Sequence, residues 1–144
     1  MNNIKKEILE IVGACDLAFA STINWENFPE TRALVNDLNK KIADIANLYF
    51  TSDIDSPKVE QIKKNSCASL YYFVPKTMKN MTLFGKFKLV TDKSLKDALW
   101  RDEFSKYYEN GKEDEKYCVL NFIPTGYKYY TFKNGDYSKN EGNF

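Results

Sequence analysis

Residues 51–58 contain the side chains whose types and spacing are best suited to bind an anion: Thr51, Ser52, Ser56 and Lys58. The letters YFTS are typical of the end of a buried strand, and Ser-Pro-Lys is typical of a helix start with proline at its first position. If the strand ends beside the helix, hydroxyls, an ammonium and free backbone N–H groups converge, and the helix dipole adds to their charge. This arrangement suits a phosphate. The alternative is purely structural, with the serine before the proline acting only as a helix cap.

Arg32 is the second candidate for anion binding, because it lies in a predicted strand beside Ala33, Leu34 and Val35. A guanidinium drawn into such apolar surroundings needs a partner. A phosphate would supply oxygens in a geometry that arginine binds bidentately. An arginine at the rim of the sheet, paired with a nearby acid, explains the same pattern, and the sequence leaves both readings open.

Several kinds of catalytic site are excluded by composition. The chain has no histidine, so Ser-His and Cys-His catalysis and His-ligated zinc or haem are absent. The three cysteines are far apart and odd in number, which argues against a disulfide framework and clustered zinc ligands. The acidic runs at 102–103 and 113–115 are typical of a solvated surface. We therefore assign no catalytic side chain and no metal site.

Length and charge indicate a globular domain. The chain has 144 residues, 43% of them hydrophobic, with a formal net charge of +1. Near-neutral charge without a long run of like charges disfavours nucleic acid as a partner. No apolar run is long enough to cross a membrane, and the first residues do not form a signal peptide, so a cytoplasmic location is expected. We predict one domain over residues 1–133, followed by a loose polar C-terminal tail over residues 134–144.

Hydrophobic spacing predicts several strands and few helices. Gly85, inside one predicted strand, indicates a bulge or bend. The absence of regular βαβ alternation indicates an antiparallel barrel or sandwich with helices attached outside. The predicted helices cover 3–12, 56–65 and 94–108, and the predicted strands cover 17–23, 31–37, 45–52, 67–74, 81–92, 117–124 and 126–133.

The order of these segments resembles a known family. TRALVN, then YFTS, then SPKVEQI, a buried strand and a glycine-bearing strand are similar to the pyridoxamine 5′-phosphate oxidase-like flavoproteins, and most similar to their general stress protein 26 group. The similarity continues through DKSLKDALW and YCVLNFIPTGYKYY, so it spans about Leu17 to Phe132. It implies a mainly β fold, a six- to seven-stranded antiparallel split β-barrel with helices packed outside. It also implies a homodimer with FMN in the clefts between the subunits.

The resemblance also implies which residues contact the cofactor. Trp100 matches an aromatic residue near the cofactor cleft, although a tryptophan in the core or in the dimer seam explains it equally well. The backbone around Leu34 and Val35 would face the flavin ring. Contacts with the phosphate and ribityl chain would come from Arg32, Thr51, Ser52, Ser56 and Lys58.

The function implied is that of an FMN-dependent oxidoreductase. Electrons would pass from a reduced nicotinamide or another flavin to an unidentified small acceptor. One alternative is a flavin-binding carrier or stress sensor without turnover, and another is the same barrel with a different ligand, such as deazaflavin or haem. Vitamin B6 synthesis is not expected, because Pro57 and Asp37 stand where the biosynthetic oxidases carry basic residues.

Overall fold

The protein, described here for residues 3–144 by a computed structural model, consists of one curled antiparallel sheet with helices around it. This architecture confirms the prediction of a mainly β, six- to seven-stranded antiparallel fold with helices outside. The strands are β1 Leu17–Ile23, β2 Pro29–Val35, β3 Leu48–Asp53, β4 Cys67–Val74, β5 Lys79–Leu89, β6 Tyr117–Lys133 and β7 Asp136–Asn143. The α-helices are α1 Asn3–Ala14, α2 Pro57–Lys64 and α3 Lys93–Ala98, and 3-10 turns cover Asp37–Asn39, Asp102–Lys106 and Gly111–Glu113.

The sheet curls into an open barrel. Its strand order is β2-β1-β4-β5-β6-β3, and β7 pairs with β6 beside this path. Strands β2 and β3 are therefore the two ends of the curl, and they approach each other without pairing. Helix α2 directly follows β3 and packs on β1 and β5. The opening between β2 and β3 is thus flanked by a helix start.

Alternating side chains give the sheet an inner and an outer face. In β1, Ala18 and Ala20 are buried, whereas Leu17 and Phe19 are exposed, as expected for the period of two residues in a strand. The inner face packs against α1 and α2 and forms the main core. Its largest buried side chains include Ile8, Ile11, Leu48, Phe50, Leu70, Tyr72, Met81, Leu83, Leu120 and Phe122.

A second, smaller cluster lies on the other side of β3 and β6. Val119 and Tyr117 of β6 are buried there against Phe104 and Tyr108. Trp100 packs against this cluster. The end of β3 therefore separates two apolar regions, and consecutive side chains of β3 point into different ones.

Strand β6 differs from the prediction of two strands over 117–124 and 126–133. The sequence Pro-Thr-Gly at 124–126 is typical of a turn, but the chain stays extended there and forms one strand of 17 residues. Pro124 lies opposite Gly85, where the register of β5 and β6 shifts, which confirms the predicted irregularity. A Cβ at Gly85 would lie 2.2 Å from the carbonyl oxygen of Ile123. The bend therefore depends on glycine rather than on a turn.

The helix predicted over 94–108 is also different. Helix α3 ends at Ala98, and a separate 3-10 turn begins at Asp102. Between them Arg101 has extended backbone angles, φ −123° and ψ 138°. After the break, Trp100 and Phe104 both pack into the second cluster.

Residues 136–143 correct the expectation of a loose tail. They form β7, which pairs with the second half of β6 from Gly126 to Lys133. A tight turn joins the strands, and Gly135 at its tip has a positive φ of 85°. Most side chains of β7 are exposed, so its polar composition reflects an edge strand rather than a lack of structure.

A buried polar network fixes the end of β2. Asn36 is fully buried, and its amide donates to the carbonyl oxygens of Val12 and Cys15, 2.8 Å away in each case. The hydroxyl of Tyr72 donates to the Asn36 side-chain oxygen at 3.0 Å. The end of β2 is thereby held to α1 and to β4.

Within the described residues, every helix is too short to cross a lipid bilayer.

Candidate functional site

The candidate site is a cavity between β2 and the start of α2. Its volume is about 490 Å³. Residues 30–32 of β2 form one side of the cavity, and the N-cap and first turn of α2 form the other. The lining residues are Glu30, Thr31, Arg32, Ser56, Pro57 and Lys58.

Lys58 is held over two hydroxyl groups. Its Nζ donates to Ser52 Oγ at 2.7 Å and to Ser56 Oγ at 3.1 Å. The two hydroxyl oxygens are 3.2 Å apart. Ser56 occupies the N-cap position of α2, but its side chain makes no capping hydrogen bond. Its hydroxyl therefore belongs to the lysine cluster rather than to the helix backbone, unlike the purely structural reading of this serine.

Burial and a neighbouring cation together lower the pKa of Lys58. Burial of the ammonium is the larger cause, and the positive charge of Arg32 is the next. The opposing attraction of Asp53 is weaker. Two cations thus lie close enough at the cavity to repel each other, which is an arrangement that an anion would relieve.

Arg32 is partnered within the chain. Its Nη1 donates to Thr22 Oγ1 at 2.6 Å and to the carbonyl oxygen of Glu30 at 2.9 Å. Its Nη2 donates to Gln61 Oε1 at 3.2 Å and lies 3.6 Å from Glu30 Oε2. Burial lowers the pKa of the guanidinium. The two interpretations of Arg32, as an anion-binding residue and as a rim residue paired with an acid, therefore each describe part of the structure, because Arg32 pairs with Glu30 and also lines the cavity.

Glu30 and Gln61 are site residues that the sequence reasoning missed. Gln61 is buried, and its Nε2 donates to Glu30 Oε2 at 3.0 Å. Asn24 Nδ2 donates to the other carboxylate oxygen, also at 3.0 Å. These hydrogen bonds, from Gln61 first and Asn24 second, lower the pKa of Glu30. Glu30 precedes Arg32 by two residues in β2, so strand alternation was the signal that could have found it.

The remaining predicted contacts do not face the cavity within one chain. Thr51 pairs with Val119, whose side chain is in the second cluster, so it points away from Ser52. Leu34 is buried in the main core, whereas Val35 lies on the outer face and is 48% exposed. The structure thus brings together only part of the predicted set.

Trp100 packs within its own chain. Its ring makes edge contacts with Phe104 and Tyr117, with centroids 5.6 and 5.1 Å apart. It also lies 6.2 Å from the ring of Tyr108. None of these three residues lines the cavity. Within the single chain, the interpretation of Trp100 as a core residue therefore describes its position.

The arrangement can bind an anion but offers no acid–base dyad. Hydroxyl, ammonium and guanidinium donors meet at a helix start, which is a donor set suited to phosphate oxygens. Among residues 3–144, no cluster of His, Cys, Asp or Glu side chains is placed to hold a metal ion. The cysteines in this part of the chain are free, and burial raises the pKa of Cys118 to about 11.

Comparison with known proteins agrees with this fold. A protein related to general stress protein 26 from Clostridium acetobutylicum superimposes with a TM-score of 0.78 at 22% identity, covering 94% of this chain and 92% of that one. General stress protein 26 from Bacillus anthracis gives a TM-score of 0.73 at 16% identity, over 96% and 100% of the two chains.

A pyridoxamine 5′-phosphate oxidase-related, FMN binding protein from Nostoc punctiforme gives a TM-score of 0.70 at 16% identity, over 100% of this chain and 98% of that one. The search of curated protein sequences gave no significant match. The profile of the family described as pyridoxamine 5′-phosphate oxidase like matches residues 4–139. The chain therefore belongs to the pyridoxamine 5′-phosphate oxidase-like family.

Proposed function

We propose that the protein binds FMN and that the phosphate of the cofactor occupies the cavity between β2 and α2. The observation that carries this proposal is the convergence of Lys58, Arg32 and Ser56 on one cavity, with the Ser52 hydroxyl hydrogen-bonded to Lys58 just outside its lining. The two cations are desolvated and repel each other. A phosphate dianion would turn this repulsion into attraction while keeping the hydroxyls hydrogen-bonded.

Each part of the site has a separate role in this proposal. Lys58 supplies charge, and Ser52 and Ser56 orient the phosphate through their hydroxyls. Arg32 contributes charge while its hydrogen bonds to Thr22 and Gln61 hold it in place. We assign the backbone of Leu34 and Val35 to the flavin ring, because both residues continue the strand that carries Arg32.

The activity we propose is electron transfer to a small acceptor, with a reduced nicotinamide or another flavin as donor. Bound FMN supplies hydride or single-electron chemistry through its own ring. The protein then needs to hold and orient the cofactor, which agrees with a site that contains anion-binding groups and no candidate proton-transfer pair. The chain's own contribution to turnover is therefore binding and access.

We further propose that two copies associate through the outer face of the sheet. This face, defined as the outward side chains of β2, β1, β4 and β5, is apolar and exposed. A patch of this kind on a small protein is typical of an association surface. Val35 lies on it and Trp100 also points away from the cavity, so a second copy would be needed to complete the predicted cofactor contacts. The large apolar side chains of the outer face are between 36% and 48% exposed: Leu17, Phe19, Val35, Tyr71, Phe73 and Phe84.

The first experiment tests cofactor binding and turnover together. The absorption spectrum of the freshly purified protein should show bound flavin, and heat-released material should be FMN. NADH or NADPH is then mixed with the yellow protein under anaerobic conditions. Bleaching at a rate that supports turnover is expected for an oxidoreductase. A flavin spectrum that stays unchanged would identify a binding protein without turnover, and failure to bind added FMN would overturn the proposal.

The second experiment tests self-association. Phe19→Asp places a charge in the middle of the outer face without touching the cavity, and it should convert the dimer into a monomer. Met78→Asp, in the turn between β4 and β5, is the matched control because Met78 is equally exposed, at 42% against 39% for Phe19. Sedimentation velocity measures both variants. A wild-type monomer that holds FMN would contradict the proposed dimer.

A further inference from the structure

We propose that Glu30 makes the phosphate cavity selective for a monophosphate ester over a pyrophosphate, so that the site accepts FMN and rejects FAD. This inference rests on the proposed function and adds a specificity determinant to the same site. Its basis is the position of one fixed carboxylate at the mouth of a cavity that otherwise attracts anions.

The carboxylate of Glu30 stands on the solvent side of the cationic pair. Glu30 and Arg32 are alternate residues of β2, so their side chains leave the strand on the same face. The Glu30 side chain is 49% exposed, whereas that of Arg32 is 22% exposed. Both line the cavity, as does Lys58. A ligand phosphate held by the two cations would therefore have the carboxylate at its outer side.

The carboxylate is held rather than free to turn away. Gln61 Nε2 and Asn24 Nδ2 bind its two oxygens, one each. Gln61 is itself fixed, because it is buried and Thr22 Oγ1 donates to its Oε1 at 2.6 Å. The same side chain also accepts from Arg32. One hydrogen-bonded unit thus positions the acid and the cation together.

The position of Glu30 discriminates between flavin ligands by the charge that each carries next to the bound phosphate. In a monophosphate ester, the only phosphate lies between Lys58 and Arg32, where attraction exceeds the effect of Glu30. In FAD, a second charged phosphate extends from the first, and towards the mouth it meets a fixed negative charge. Like charges that are brought close together repel each other, so the bound state of FAD is disfavoured. Riboflavin has no phosphate, so its affinity is insensitive to Glu30.

The test compares three ligands on four proteins. Dissociation constants for FMN, FAD and riboflavin are measured by isothermal titration calorimetry with the wild type, Glu30→Gln and Glu26→Gln. Glu26→Gln removes the same charge from the same hairpin, and Glu26 does not line the cavity. The variant Glu30→Ser repeats the test with a smaller neutral side chain, and thermal unfolding confirms that each variant is folded.

The wild type should bind FMN at least about tenfold more tightly than FAD. Glu30→Gln should tighten FAD binding about tenfold and FMN binding less than about threefold, because it removes the negative charge that the second phosphate of FAD would meet. Riboflavin affinity and the Glu26→Gln control should not change. An FMN-to-FAD ratio that is the same in the wild type and both Glu30 variants would overturn the role of Glu30 while leaving FMN binding intact. A wild type that binds no flavin would overturn the proposed function itself.

Discussion

Replacing Lys58 by methionine should separate cofactor binding from folding. The ammonium of Lys58 contacts only the hydroxyls of Ser52 and Ser56 among the polar groups described, and these hydroxyls already lie 3.2 Å from each other. Removing Nζ therefore leaves neither hydroxyl without a partner, and it removes a desolvated cation beside Arg32. The unliganded variant should unfold at the temperature of the wild type or slightly above it.

The same substitution should greatly weaken FMN binding. A hydrogen bond to a charged group contributes about 1.5 to 3 kcal/mol, so the dissociation constant for FMN should rise about 10- to 150-fold. Riboflavin, which lacks the phosphate, should bind both proteins within about a factor of two. Calorimetric titration of the wild type, Lys58→Met and the control Lys64→Met measures these values. Lys64 lies on the same helix but over the Trp25 ring, outside the cavity.

Three results would refute this reasoning. The first is an FMN affinity that Lys58→Met leaves unchanged, because the phosphate would then lie elsewhere. The second is an equal loss of FMN and riboflavin affinity, since Lys58 would then act on the flavin ring or on the fold and not on the phosphate. A large fall in the thermal stability of the unliganded variant would likewise show that the ammonium is a structural group.

Three further predictions concern pH, Arg32 and the bend in the sheet. The pKa of Lys58 is lowered in the folded state. At pH values between this lowered pKa and the ordinary pKa of lysine, the unfolded chain therefore binds more protons than the folded protein. As the pH increases through this range, the free energy of unfolding of the wild type should therefore rise relative to that of Lys58→Met, as measured by urea titration. Arg32→Ala should lower both FMN affinity and, by about 1 to 3 kcal/mol, the free energy of unfolding, because its hydrogen bonds to Thr22 and Gln61 are lost; unchanged stability would contradict this double role. Gly85→Ala should lower the free energy of unfolding in urea by more than about 3 kcal/mol, since its Cβ would lie 2.2 Å from the Ile123 carbonyl oxygen. Gly126→Ala, whose Cβ would make contacts of 3.3 Å, should lower it much less.

Local patterns were enough to predict much of the sheet. The predicted strands over 17–23 and 67–74 have the observed bounds, because alternating burial and β-forming residues leave little ambiguity there. The irregularity at Gly85 was predicted for the same local reason. Where the prediction was wrong, tertiary structure overrode a local signal. Pro124 and Gly126 are typical of a turn, but the curl of the sheet uses them inside one strand.

The candidate site was less predictable because it depends on register. Ser52, Ser56 and Lys58 are close in sequence, so a strand end followed by a helix start was enough to predict that they meet. Glu30 and Gln61 are ordinary polar residues in a strand and a helix, and only the packing of α2 against β1 brings them together. Thr51 shows the converse, because adjacency in sequence places it on the opposite face of the strand from Ser52.

The edge position of β7 has a consequence for handling the protein in concentrated solution. Strand β7 buries little side-chain surface, so local opening there is less costly than opening elsewhere in the sheet. When β7 detaches, the second half of β6 loses its hydrogen-bonding neighbour and offers a bare backbone ladder rich in tyrosine. A β7 strand from another molecule can fill that vacancy, which makes reciprocal strand exchange the expected route to higher oligomers.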